Sequence, residues 1–369
     1  MRIAQIAPLA ETVPPKLYGG TERVVSWLVH ELARRGHAIT VFASAGSEVP
    51  CTLVPLPGPL RQAGLRDHTA SLLAMLEQVR RRTDEFDVLH FHIDLLQFPM
   101  FQQHAHKCLT TLHGRLDLPD FHPIFRTFPE MPLVSISNAQ RGDMPAGANW
   151  VGTVYHGLPE TLYPFNPRPG SYLAFLGRIA PEKRPDRAIE IAKRAGLPLK
   201  IAAKVDSVDA AYFTHEIKPL LNHPLIEFVG EIDDRRKAEF LGNALALLFP
   251  IDWPEPFGLV MIEAMCTGTP VIAWRKGSVP EVVDNGVTGY IVDSIDEALL
   301  AAEQVRHLSR AAVRWRFLER FSASRMAYDY IEVYEALLAR SASDGATKAS
   351  HHLVANQRRR SAEAAIAPD

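Results

Sequence analysis

Residues 255–273 read Glu255-Pro-Phe-Gly-Leu-Val-Met-Ile-Glu263-Ala-Met-Cys-Thr-Gly-Thr-Pro-Val-Ile-Ala273. Two carboxylates eight positions apart bracket what reads as a helix start. Pro256 suits a first helical position, and Gly258 permits close backbone approach. A helix from Phe257 onward would set Glu255 and Glu263 roughly 12 Å apart along its axis. That is about the distance from sugar to ribose in a nucleotide sugar. Amides at the helix start, those of Phe257 and Gly258 among them, would face the diphosphate between, where the dipole favours negative charge. Packing alone does not explain this arrangement.

The block resembles the donor-binding signature of the retaining glycosyltransferases of family 4 (glycosyl transferases group 1), in which two Glu residues are separated by seven others within a phrase like E-P-F-G-L-x-x-x-E-A-M-A-x-G-x-P-V-I-A. The one departure of note is Cys266, where a small residue such as Ala is usual. The resemblance continues through Gly277-Ser-Val-Pro-Glu281 and Asn285-Gly-Val-Thr-Gly-Tyr-Ile-Val292, and is looser in the first half. It implies the GT-B architecture: two Rossmann-like doubly wound α/β domains facing across a cleft, with a C-terminal helix crossing back to the first domain.

Outward from this block, the pattern agrees with such an architecture. A chain of 369 residues is too long for one ordinary core, so two domains are expected. Strands read at Arg2–Ala7, Ile39–Ala43, Val88–Phe91, Cys108–Leu112, Leu133–Ser137 and Val151–Tyr155. Helices are expected from Thr21 as N-cap to Gly36, and over Thr69–Arg82 with Leu72, Leu73, Leu76 and Val79 inward. Strands alternating with helices indicate a parallel doubly wound sheet. The proline-rich stretch 159–170 reads as the interdomain linker. A second series follows: strands at Tyr172–Leu176, Leu199–Ala203, Ile226–Val229, Ala244–Phe249 and Val271–Trp274, with a helix around Asp186–Ala195 and helical sequence over Trp315–Leu338. The expected boundaries are 1–163 for an acceptor-side domain, 164–325 for a nucleotide-sugar domain and 326–340 for the crossover helix. A disordered tail is expected over 341–369.

Composition narrows the function classes. With 47% hydrophobic residues and a net charge of −2, the chain lacks the basic character of a nucleic-acid binder. Cys51, Cys108 and Cys266 are too scattered for a disulfide framework, which suits a reducing, cytoplasmic location. No apolar run approaches a membrane span, although peripheral contact with the inner face of a membrane needs only a surface patch.

Carried over by resemblance, Glu263 accepts from the ribose hydroxyls, a vicinal diol that one carboxylate can hold. Glu255 holds a donor-sugar hydroxyl; an acid that merely complements a helix dipole is the plainer reading. Arg178 and Lys183, in Gly177-Arg-Ile-Ala-Pro-Glu-Lys183, resemble the family's G-R-L-x-x-E-K-G element, with Arg184 in place of the usual Gly. Two cations there would stabilise charge developing on the leaving diphosphate. The alternative is a surface pairing with Glu182 and Asp186. Gly19 and Gly20 resemble a G-G-x-E element whose bare amides approach an anion; the lack of G-x-G-x-x-G speaks against an NAD-type fold. His113, at the end of a strand, falls where the family keeps a His near the donor sugar. Asp94, after His90-Phe-His92-Ile, is a candidate for acceptor contact or proton removal.

His90 and His92 would share one strand face, as metal ligands can, and His104 and His106 repeat the spacing. Neither pair has the further ligands that zinc needs, so no metal and no cofactor are expected. The partners implied are a nucleotide diphosphate sugar and an acceptor left open between saccharide, lipid-linked sugar and small molecule. The resemblance implies sugar transfer with retention of configuration, a hexose as the cargo, and no metal requirement. A nucleotide-sugar epimerase and a non-catalytic nucleotide-sugar-binding protein are the alternatives.

Overall fold

The structure is a computed structural model that describes residues 1–16, 19–65, 67–142 and 144–340. Tyr18 and the tail 341–369 lie outside the described residues.

The first sheet contains β1 (Arg2–Ile6), β2 (Ala38–Ser44), β3 (Thr52–Leu56), β4 (Val88–Phe91), β5 (Cys108–Thr111), β6 (Leu133–Ser135) and β7 (Trp150–Thr153), in the order β3-β2-β1-β4-β5-β6-β7. The second contains β8 (Tyr172–Arg178), β9 (Leu199–Lys204), β10 (Ile226–Gly230), β11 (Ala244–Phe249), β12 (Val271–Trp274) and β13 (Gly289–Val292), ordered β10-β9-β8-β11-β12-β13. Every pairing is parallel. Parallel strands are covered on both faces, and so β11 is an unbroken apolar run, buried at all six positions. Strand order reverses at β1/β4 in one sheet and at β8/β11 in the other. Ligands of open α/β sheets bind beyond the strand C-termini at such switch points.

Several local expectations need correction. The edge strands β3 and β13 were not anticipated. Pro55 inside β3 is tolerated because an edge strand needs no donor on its outer side. The first helix begins at Gly20 on an N-cap Gly19, one turn position before Thr21 could cap it. In the helix Thr69–Arg81, Met75 is buried and Leu73 is 42% exposed, so the inward stripe is rotated. His104 and His106 sit on a 3₁₀ turn, Gln102–Lys107, and share no strand face. Trp315–Leu338 is broken into a helix Arg310–Arg320 and a second over residues 323–340. The break exists because Phe321 turns inward, fully buried, and its carbonyl accepts from Leu158 N–H at 2.9 Å.

Arg310 ties the segment 159–170 to the second domain. Its guanidinium donates to the carbonyls of Asn166 (2.7 Å), Gly242 (2.8 Å) and Ala244 (2.9 Å) and to Thr269 Oγ1 (2.7 Å). The helix over 323–340 packs on the first sheet and places Tyr330 and Tyr334, both fully buried, beneath β4 and β5. Among the described residues no helix is long and apolar enough to cross a membrane.

Candidate functional site

A cleft of about 660 Å³ runs between the two sheets. It is lined by residues that follow the C-terminal ends of β1, β5, β8 and β11.

On the second-domain wall, β8 ends at Arg178 and a 3₁₀ turn, Pro181–Lys183, follows. The turn closes on Arg184, at φ 51° and ψ 52°, the one non-glycine residue with positive φ among those described. That left-handed geometry gives a physical reason for a glycine at this position. Here ion pairs from Arg184 to Asp186 (2.7 Å) and Asp252 (3.2 Å) hold a longer side chain in it. Lys183 Nζ bonds Glu255 Oε2, which also accepts from Trp253 Nε1 at 3.1 Å. The ammonium lies 4.6 Å from the centre of the Trp253 ring. Arg178 bonds Glu182 at 2.6 Å and stands 3.4 Å from Asp209 and 3.7 Å from Asp206. Of the surface pairings weighed from sequence, that with Glu182 forms, whereas Asp186 belongs to Arg184.

Glu255 is held by backbone. A Cβ at Gly277, where φ is +52°, would fall 2.3 Å from Glu255 O and 2.4 Å from Glu255 N. Only glycine lets the two strands of chain approach this closely. The signature helix is shorter than its sequence suggests. It spans Leu259–Cys266, with Gly258 as a left-handed N-cap at φ 79°, so Pro256 and Phe257 precede it. Phe257 is instead a buried wedge, 4.9 Å from the His156 ring and 6.1 Å from Phe321.

The first helix, Gly20–Arg34, begins opposite. A Cβ on Gly20 would lie 3.7 Å from Leu259 Cδ1, so the two helix starts meet across the cleft. Both have glycine N-caps and neither has a side-chain cap, unlike Asp233, Ser294 and Ser309, whose side chains cap their helices. Amides left free at a helix start carry partial positive charge, and two such starts together favour an anion. Glu263 is 2% exposed and bonds Lys237 Nζ at 3.1 Å. Lys237 also stands 3.4 Å from Asp234, which pairs with Arg23 of the first helix, so an ionic chain crosses the cleft.

His113 is the end of a ladder. Tyr334 Oη lies 2.8 Å from His90 Nδ1 and accepts from Gln5 Nε2 at 3.1 Å. Gln5 Oε1 accepts from His92 Nε2 at 2.7 Å, which leaves His92 Nδ1 to accept from His113 Nε2 at 2.9 Å. His113 Nδ1 is then a bare acceptor, buried and without a hydrogen-bond partner among the described residues. The His156 ring stacks on His113 at 5.2 Å, and its Nδ1 is likewise unpartnered. Burial holds the His113 pKa down at about 3 and those of His90, His92 and His156 well below the ordinary range. Both ring nitrogens of His90 and of His92 are already engaged, His90 Nε2 by Thr111 at 2.7 Å. They are ladder members, and among the described residues no three His, Cys, Asp or Glu side chains gather with metal-binding geometry.

Asp94 lies in a second cavity of the first domain, whose lining also includes Thr21 and His113. It is reachable by solvent, yet its apolar surroundings raise its pKa. Sequence reasoning missed Gln5, Arg23, His156, Trp253 and Lys237. No local pattern marks them, apart from His156 directly preceding Gly157 after β7 and Lys237 on a charged helix.

Residues 18–144 match the family described as Glycosyltransferase Family 4, and residues 166–314 match Glycosyl transferases group 1. The chain is 27% identical over 362 residues to the phosphatidyl-myo-inositol mannosyltransferase of Mycolicibacterium smegmatis, covering 89% of this chain and 90% of the relative. Among solved structures it resembles AviGT4, a glycosyltransferase involved in avilamycin A biosynthesis, with TM-score 0.66, 22% identity, and coverage of 92% and 98% of the two chains. It also resembles Anabaena HepE in complex with UDP and glucose, with TM-score 0.67, 16% identity, and coverage of 91% and 100%. The shared fold is GT-B.

Proposed function

This chain belongs to glycosyltransferase family 4, and from that premise we propose that it moves a hexose from a nucleoside diphosphate sugar to an acceptor hydroxyl with retention of configuration, without a divalent metal. The carrying observation is the Lys183–Glu255 pair set beside two uncapped helix starts that face each other. Glu263 would take the ribose diol and the two helix starts, with Gly19 and Gly20, the diphosphate. Glu255 and His113 Nδ1 would accept from sugar hydroxyls. The names of similar proteins, a mannosyltransferase and a structure holding UDP and glucose, support a hexose on a nucleoside diphosphate.

In the step proposed, the acceptor oxygen bonds to the anomeric carbon on the face from which the diphosphate leaves. The bond from that carbon to the phosphate oxygen breaks, and the hydroxyl proton departs with the diphosphate. Lys183 and Arg178 would stabilise the charge that develops, and they supply it without a metal. Closure of the cleft would exclude water and limit donor hydrolysis. Three free thiols suit a reducing cytoplasm, with contact at a membrane face reserved for an acceptor that resides there.

The deciding experiment is calorimetric titration of UDP, GDP and ADP with chelator present, on the wild type and Glu263→Ala. One nucleotide should bind, and more weakly by about tenfold in the variant. Absence of binding to the folded wild type would sink the reading. NMR of the product anomer tests retention, and a freed new sugar with acceptor untouched would point to an epimerase.

A further inference from the structure

A second cavity, of about 410 Å³, opens on the first domain and shares Pro8, Thr21 and His113 with the donor cleft. The two spaces therefore meet at the His113 imidazole. Six apolar side chains build much of the inner wall: Leu9, Leu72, Ile93, Leu95, Leu96 and Phe121. Few of its polar groups are available to a ligand. His92 spends both ring nitrogens on Gln5 and His113, and His68 Nε2 bonds the Leu65 carbonyl at 3.0 Å. Asp94 and Thr21 remain, His113 Nδ1 being assigned above to the donor sugar.

We propose that this cavity holds the acceptor, and that the acceptor is a compact alcohol whose hydroxyl is carried on an apolar skeleton; the inference rests on the transferase reading above. A glycan presents several hydroxyls per ring. Each one buried without a partner keeps its full desolvation penalty, and this wall has partners for few of them. An apolar body gains instead in proportion to the surface it removes from water. The volume suits a drug-sized skeleton. Three further leucines flank lining residues along the chain: Leu73 follows Leu72, the Leu118 carbonyl accepts from Phe121 N–H at 3.1 Å, and the Leu65 carbonyl bonds His68 at 3.0 Å. All three leucines are exposed. A hydroxyl at the mouth shared with the donor cleft would stand between Asp94 and the donor sugar. Transfer onto it yields an O-glycoside of the alcohol and a free nucleoside diphosphate, the hydroxyl proton leaving with the latter.

The test uses the full chain saturated with whichever nucleotide binds. Menthol and farnesol serve as apolar alcohols, and maltotriose and cellotriose as glycans. The alcohols should bind at least about tenfold more tightly than the glycans. Leu96→Glu, which sets a charge in the wall, should weaken the alcohols by about tenfold or more, and Leu96→Ala by less. An unchanged unfolding midpoint shows that both variants fold. Glycans binding better than the alcohols, or nucleotide binding intact with neither alcohol binding, would overturn the proposal. Alcohol binding indifferent to Leu96→Glu would place the site elsewhere and overturn it too. A chain that binds no nucleotide fails at the transferase reading itself, which keeps the two failures distinct.

Discussion

Nδ1 of His92 and Nε2 of His113 stand 2.9 Å apart, and the other nitrogen of His92 is committed to Gln5 at 2.7 Å. A neutral imidazole has one donor and one acceptor, so the Gln5 carbonyl determines the tautomer of both rings. His113 should carry its proton on Nε2 and keep Nδ1 as an acceptor. Nitrogen-15 spectra of the histidine rings would show this directly, and a proton on His113 Nδ1 would refute the ladder. Gln5→Leu should mix the tautomers and lower turnover by about tenfold, with nucleotide affinity little altered.

Stability should fall with pH in a defined window. Burial first, and neighbouring imidazoles second, depress the pKa values of His90, His92 and His156; burial alone depresses that of His113. A depressed folded pKa means that the unfolded chain binds protons that the folded chain refuses. The contribution is therefore complete above the unfolded value near pH 6.5 and lost as pH drops toward about 3. Each imidazole should contribute up to about 1.4 kcal/mol per pH unit within that range. Denaturant titrations at pH 7.5, 6 and 5 check it, and a stability independent of pH there would contradict the buried ladder.

Lys183→Ala should lower turnover by about 10²–10³, the scale of losing a group that stabilises transition-state charge. Nucleotide affinity should change less. Gly277→Ala acts on the same centre from behind. Its Cβ would collide with the Glu255 backbone, so it should cost activity without removing any polar group. Turnover unaffected in Lys183→Ala would remove that residue from the chemistry.

Arg310→Ala should destabilise the protein by about 3 kcal/mol, because three carbonyls lose their donor within the packed second domain. The unfolding midpoint of that domain would drop by several degrees, measured by calorimetry. Arg310→Met, which keeps volume and omits donors, should lose nearly as much. Full recovery in that variant would mean that packing and not hydrogen bonding is at stake.

The parallel sheets were legible because buried strands are continuous apolar runs, as β11 and β12 are, bounded by turn residues. Strands β3 and β13 leave little mark in the sequence: Pro55 argues against a strand, and β13 is four residues long with only its two end residues buried. The start of the signature helix was placed too early, since Pro256 is equally at home in the extended turn that precedes Gly258.

By itself the sequence determined what depends on neighbours a few residues apart: alternation of strand and helix, glycine at the helix starts, and two acids eight positions apart. Tertiary structure alone decided that Lys183 meets Glu255, 72 residues away, and that Gln5 meets Tyr334 across 329 residues. Local dihedral and periodicity preferences act within a turn or two of chain, so they can be read in order. A hydrogen bond between distant residues exists only once the sheets have formed and the last helix has packed against them, and no spacing along the chain records it.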